Sequence, residues 1–155
     1  MAANGFVWRY NLSGGRPLIL DFIAQDTETF HAGDMINIES GLADLAATGG
    51  DSGLAGVFVG PTLPSAAKDG QPGVVEAVTA VTLLKVIVNP DAVYGVFDEN
   101  ARLAGAALDI TGTTGAQTVG ASGDNDVVVV ERKRQSADET RVMLDQAVHY
   151  LTKAH

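Results

Sequence analysis

Three histidines, a few acidic pairs and a glycine–threonine turn are the places where this chain could carry chemistry. Glu28 and His31 have the Glu-x-x-His spacing of a di-metal carboxylate helix. Such a centre needs a second pair and two more glutamates on facing helices. Gly33 ends the segment and no second pair exists, so His31 reads as a surface-turn histidine. A three-histidine zinc site would require both His149 and His155 to meet His31, the two ends of the chain converging on one turn. Asp124-Asn125-Asp126 clusters oxygens in a glycine-rich loop but lacks the alternating acids, following glycine and distal glutamate of a hand-type calcium loop. A hairpin or Asx turn accounts for it. Gly112-Thr113-Thr114-Gly115 lacks the lysine of a phosphate loop, and no Gly-x-Ser-x-Gly elbow presents a serine nucleophile. Ser13, Ser40, Ser52, Ser65, Ser122 and Ser136 all lie beside turn residues, where a hydroxyl bonds to backbone. Asp98 and Glu99 are adjacent loop carboxylates that face water. No acid, base and nucleophile come together, so the expectation is a protein that is no enzyme and holds no metal or cofactor.

Two other groups of residues point to contact rather than catalysis. Arg132-Lys133-Arg134 is the only basic cluster, beside Glu131 and close to Asp138 and Glu139. It reads as a solvated loop, or as a polar contact to an acidic neighbouring subunit through Arg132 and Arg134. Phe6, Trp8 and Tyr10 alternate around Val7 and Arg9 in a short extended stretch. Trp and Tyr anchor many interfaces. The stretch either adds an edge strand to its own domain or docks on a partner, as terminal arms do by strand addition. On the second reading Phe6, Trp8, Tyr10, Arg132 and Arg134 are the contact residues.

These side chains must be held by short strands. Residues 1–17 form an arm that ends in Asn11-Leu12-Ser13-Gly14-Gly15-Arg16-Pro17, a stretch that breaks regular structure. Residues 18–155 form one domain. Leu18 to Ile23 reads as a strand interrupted by Asp21. Met35 to Glu39 is a strand with Met35, Asn37 and Glu39 on one face and Ile36 and Ile38 on the other. Gly41 to Ala47 is open between strand and helical turn, and Leu54 to Val59 is a strand. Val74 to Val88 holds six valines, an isoleucine and two threonines. β-Branched residues suit a pleated sheet, and the length predicts a bend near Thr82. Val93 to Phe97 and Leu108 to Thr111 are strands, with a capped helical turn from Asp98 through Ala107 between them. Gly112 to Asp126 is turn-rich. Val127 to Val130, Arg141 to Leu144 and a candidate last strand at Ala147 to Leu151 complete eight or nine strands with one or two helical turns.

Composition agrees. Of 155 residues 18 are glycine, and only 19% are charged against a usual ~25%, too few to coat long amphipathic helices. There is no cysteine, so disulfides and thiolate metal sites are excluded. The formal net charge of −9 repels phosphate backbones and disfavours a nucleic-acid partner. No run approaches the ~18 apolar residues of a membrane helix, and the start lacks the basic-then-apolar pattern of a secretory signal. Neither a membrane partner nor export is expected, and synthesis is placed in the cytoplasm.

The second half carries a resemblance. Val86-Ile87-Val88-Asn89-Pro90-Asp91-Ala92-Val93-Tyr94, then Ala104 through Val119 with its Leu108-Asp109-Ile110-Thr111-Gly112 turn, then Asp126-Val127-Val128-Val129-Val130-Glu131, resemble head decoration (minor capsid, or cement) proteins of tailed bacteriophages, chiefly those infecting actinobacteria. Ala32 to Ile36 and Ser52 to Phe58 are more loosely similar to the paired β segments of that group. The resemblance implies a mainly β fold, a small β-barrel of β-tulip or SH3-like type. It implies attachment to the major capsid protein on the outside of the virion, and homo-oligomers, a trimer before a dimer. Another virion part, such as a tail-tube or neck protein, and a carbohydrate-binding β module are the alternative readings.

Overall fold

A computed structural model describes residues 5–25, 29–46, 53–61, 74–75, 83–98, 100, 102–121, 125–133 and 139–152. Among them are thirteen strands and no helix: β1 (Phe6–Asn11), β2 (Ile19–Ile23), β3 (Phe30–His31), β4 (Met35–Glu39), β5 (Leu42–Leu45), β6 (Leu54–Pro61), β7 (Val74–Val75), β8 (Leu83–Ile87), β9 (Ala92–Phe97), β10 (Ala107–Thr111), β11 (Thr118–Ala121), β12 (Val127–Lys133) and β13 (Glu139–Leu144). They form a six-stranded sheet in the order β1-β9-β13-β12-β10-β11, a five-stranded sheet in the order β2-β8-β6-β4-β5, and the short β3-β7 pair. Every ladder is antiparallel. One isolated parallel bridge, Ala24 to Ala43, brings the end of β2 beside β5, with the Gln25 N–H donating to the Ala43 carbonyl at 2.8 Å.

The two cores explain the sequence pattern. One draws Phe6, Tyr94, Val96, Ile110, Val127, Val142 and Leu144 from the six-stranded sheet and Met35, Leu54, Val57 and Ile87 from the five-stranded sheet. The other holds Ile36, Ile38, Ala55, Phe58, Leu84 and Val86 with Phe30, against which Phe22 and Tyr150 pack. The strands β4, β6 and β8 thus bury both faces, and so they read as nearly continuous apolar runs. Met35 faces one core while Ile36 and Ile38 face the other, the alternation read from the sequence. In β13, Val142 and Leu144 are buried and Arg141 and Met143 are half-buried.

Several expectations need correction. The helical turn from Asp98 to Ala107 is not formed. The Asp98 carboxylate is buried instead of facing water, bonded by Arg102 and Thr140, and it does accept the Asn100 N–H at 3.2 Å, as an Asx cap would. The chain then turns at Gly105 (φ 87°), and backbone bonds between Gly105, Ala106 and Val129 draw it into the sheet. Thr118 to Ala121 is a strand within the stretch read as turns; it pairs with β10 at the end of the sheet and places Val119 in the main core. Ala147 to Leu151 is a set of turns instead of a strand, joined to β6 through a single Leu54–His149 bridge. The bend expected near Thr82 lies outside the described residues.

Candidate interaction surface

The stretch read as an arm is in part a strand of the domain. β1 pairs with β9, and Phe6 sits in the main core at 1% exposure, its N–H donating to the Gly33 carbonyl at 2.8 Å. Trp8 is half-buried against the same core and its indole N–H donates to Asn11 Oδ1 at 3.1 Å. A register shift between Trp8 and Tyr10 marks a bulge at Arg9. A bulge adds a residue and breaks the alternation, so Tyr10 does not follow Phe6 and Trp8 into the core. Its hydroxyl donates to Glu131 Oε2 at 2.6 Å, and the Arg141 guanidinium lies 5.7 Å from its ring centroid. The bond to the Glu131 carboxylate is the main cause that raises the Tyr10 hydroxyl above its usual range. Arg132 stands opposite Thr140 in the β12–β13 ladder, and Arg134 lies outside the described residues. Of the candidate contact residues, Phe6 is core, Trp8 is half-buried beside it, and Tyr10 belongs to a charged network.

That network is centred on Glu139. Its carboxylate is 1% exposed and accepts from Arg9 Nη2 and, at 3.1 Å, from Arg141 Nε. Burial pushes this carboxyl up, but the bonds from the two guanidinium groups outweigh it and hold it below its usual range. Gly95 makes room, since a Cβ there would lie 2.8 Å from Glu139 Cδ. Glu139→Gln is expected to cost about 2 kcal/mol, read as a lower urea midpoint at unchanged slope; this is below the ~3–5 of a fully buried pair because Arg9 reaches water.

The glycine–threonine turn after β10 does structural work. Asp34 is fully buried, and its carboxylate accepts the His31 N–H at 2.8 Å, the Thr114 hydroxyl at 2.6 Å and the Gly115 N–H at 2.8 Å. His31 Nδ1 is 2.8 Å from Thr114 Oγ1. Because that hydroxyl gives its proton to Asp34, the ring nitrogen is the donor. A nucleophile needs the reverse, a base accepting its proton. Gln117 makes a parallel tie, accepting the Met35 N–H at 2.6 Å and donating to the Ala46 carbonyl at 2.9 Å. These bonds clamp the β10–β11 turn onto β3–β4, so His31 is a half-buried part of a clamp instead of a free surface histidine. Among the described residues no group of three or more His, Asp or Glu side chains is placed to hold a metal. Glu28 and Asp124 lie outside the described residues. Asn125 has a positive φ of 58°, and Asp126 Oδ2 accepts the Ile110 N–H at 3.0 Å, a bond that ties this loop to β10.

The strand read at Leu18 to Ile23 is β2, and the feature that sequence reasoning missed is its exposure. β2 is an edge strand, and Ile19 and Ile23 are 42% and 43% exposed, with Leu18 and Leu20 also open. Proteins blunt such edges or use them. The Val88 N–H donates to the Leu18 carbonyl at 2.9 Å. Antiparallel ladders alternate hydrogen-bonded and non-bonded pairs. In the register Ile19↔Ile87, Asp21↔Lys85, Ile23↔Leu83, the N–H and C=O groups of Ile19, Asp21 and Ile23 therefore point away from β8. Lys85 Nζ is 3.5 Å from Asp21 Oδ1, both side chains nearly half exposed. A run of apolar residues after Pro17 with one acid at its centre was the available signal. Its exposure was not readable, because a strand buried on both faces has the same composition.

No protein-family model, no curated protein and no solved structure matches this chain.

Proposed function

We propose that the chain is a non-catalytic adhesion domain that docks on a large protein assembly, and that this assembly is the head shell of a tailed phage. The observation that carries the first part is β2: Leu18, Ile19, Leu20 and Ile23 are open to solvent, and the backbone groups of Ile19 and Asp21 point away from β8, ahead of the Ala24–Ala43 bridge where β5 joins the strand. The assembly is what the resemblance of Val86 to Tyr94, Ala104 to Val119 and Asp126 to Glu131 to head decoration proteins adds. The Ala24–Ala43 bridge supports a five-stranded unit curled toward an SH3-like barrel. A domain that binds only the expanded shell stabilises it by mass action, and repetition over the lattice multiplies weak contacts.

The test is cosedimentation of the purified protein with expanded heads and with precursor shells of the phage that encodes it. Binding to expanded heads is expected, reduced at least about tenfold by Ile19→Lys with Ile23→Lys, a loss near 1.4 kcal/mol. Absence of wild-type binding to either particle would remove the phage-head reading.

A further inference from the structure

Resting on the docking role of β2, we infer that an open groove beside the start of that strand seats an arginine side chain of the docked partner. The groove encloses about 510 Å³ between the turn that follows β1, the turn that precedes β9 and the end of β13. Leu12, Ser13, Pro90, Asp91, Met143 and Gln146 line it. Leu18 joins it to β2. The Leu18 N–H donates to Asn89 Oδ1 at 2.6 Å, and its carbonyl accepts the Val88 N–H at 2.9 Å. The exposed Leu18 side chain therefore belongs to a residue held against the Asn89-Pro90-Asp91 turn. A partner lying on Leu18 and Ile19 has the groove within reach.

The lining decides the guest. Its apolar part is Leu12, 57% exposed, with Pro90 and the half-buried Met143, whose flexible thioether adapts to what lies on it. The amide donors of the lining are already used. The Leu12 N–H goes to the Asp91 carbonyl at 3.0 Å and the Ser13 N–H to Asp91 Oδ2 at 2.8 Å. Gln146 Nε2 donates to the carbonyls of Pro90 at 2.8 Å and Leu144 at 3.1 Å. That leaves acceptors: the Asp91 carboxylate, and Gln146 Oε1, which has no partner among the described residues. The Ser13 hydroxyl and N–H hold the Asp91 carboxyl below its usual range, so it is ionised at neutral pH. They are neutral donors and leave its charge uncompensated, and among the described residues no basic side chain pairs with it. A guanidinium carries five donors and no acceptor, and it is less strongly hydrated than an ammonium, which suits a site beside apolar walls. The arginine stem covers such walls while its head reaches the carboxylate. The net charge of −9 draws a cationic segment in.

The experiment titrates the isotope-labelled full chain with N-acetyl-arginine methylamide and with its neutral isostere, N-acetyl-citrulline methylamide, and follows the amide shifts by NMR. The expected result is saturable, millimolar binding of the arginine derivative, with shifts at the Leu12, Ser13, Asp91 and Gln146 amides. The citrulline derivative binds about three- to fivefold more weakly, the size of one exposed ion pair. Asp91→Asn keeps an acceptor for the Ser13 N–H and brings the two derivatives to equal affinity. Leu12→Ser, at an exposed turn position, weakens both alike, and this arm stands even if Asp91→Asn misfolds. Equal affinity of the two derivatives for the wild type, shifts that saturate elsewhere, or no loss in Leu12→Ser overturns the inference. A dimer in sedimentation velocity that Asp91→Asn dissolves also overturns it, by making a second copy the occupant. Arginine binding without binding to heads would instead overturn the phage-head reading and leave the groove standing. Head binding that Asp91→Asn leaves undiminished overturns the assignment of the arginine to the docked partner.

Discussion

Gly56→Ala is expected to prevent the two sheets from assembling. Gly56 lies in β6 at φ 148°, a conformation that L side chains rarely adopt. A Cβ there would stand 1.6 Å from the Ile87 carbonyl oxygen and 2.8 Å from the Tyr94 hydroxyl. The first obstacle is backbone and cannot rotate aside. Tyr94 is wholly buried, so it has nowhere to move either. Relief would require β6 to separate from β8, yet β6 supplies Leu54 and Val57 to one core and Ala55 and Phe58 to the other. The cost is about 4 kcal/mol or more, in the range reserved for core clashes, and a domain of this size has only ~5–15 kcal/mol in total. The measurement is urea unfolding followed by far-UV circular dichroism, with recovery of soluble protein as a first sign. Gly105→Ala is the control. Its φ is 87°, but nothing lies within 4 Å of the added carbon, so only the left-handed penalty of about 1 kcal/mol applies. Similar losses in the two variants would mean that β6 can shift, and that the close approach is not what fixes the sheet-to-sheet spacing.

What was legible in the sequence was what depends on near neighbours. Period-two alternation placed Met35 and Ile36 on opposite faces of β4, and Val142 and Leu144 on the inner face of β13. Asp98 was read correctly as a residue that caps a turn, but whether a helix follows is decided by Val129, thirty-one positions away, whose backbone bonds claim Gly105 and Ala106. The bulge at Arg9 is likewise invisible locally. It lets Arg9 reach Glu139, 130 positions away, and turns Tyr10 toward Glu131 and Arg141. The chemistry of Phe6, Trp8 and Tyr10 is local, and only long-range pairing shows that Phe6 spends its ring on the core. The exposure of β2 was not legible either. Ile19, Leu20 and Ile23 have the composition of an inner strand, and strand order is not a local property.

The second large effect is an acid-dependent loss of stability through His149. Its side chain is fully buried; Nδ1 accepts the Leu151 N–H at 3.0 Å, and Nε2 has no hydrogen-bond partner among the described residues. Burial lowers its pKa from the usual 6.5 to about 4, against a smaller opposing pull from the Ala55 backbone. The folded state thus holds the neutral ring, while the unfolded chain takes up a proton near pH 6.5. The stabilisation is complete above pH 6.5 and is lost progressively as pH falls toward 4, by at most about 3 kcal/mol. The carboxyls of Glu139 and Asp98, held low by Arg9 and Arg141 and by Arg102 against the opposing effect of burial, act in a separate and lower window, below their ordinary values of 4.5 and 3.8. Urea midpoints taken between pH 7.5 and 4.5 should therefore fall in the wild type and stay nearly level in His149→Gln. An equal fall in both would assign the effect to another group. The first structure to open should be the C-terminal turn, held by the bonds from Leu54 N–H to the Val148 carbonyl at 2.9 Å and from Tyr150 N–H to the Leu54 carbonyl at 2.7 Å. Val148 packs on one core and Tyr150 lies edge-on to Phe22 at 5.8 Å beside the other. Protonation consequently loosens the contact that backs β2, and amide exchange at Leu54 and Tyr150 should quicken before the β9–β13 ladder does.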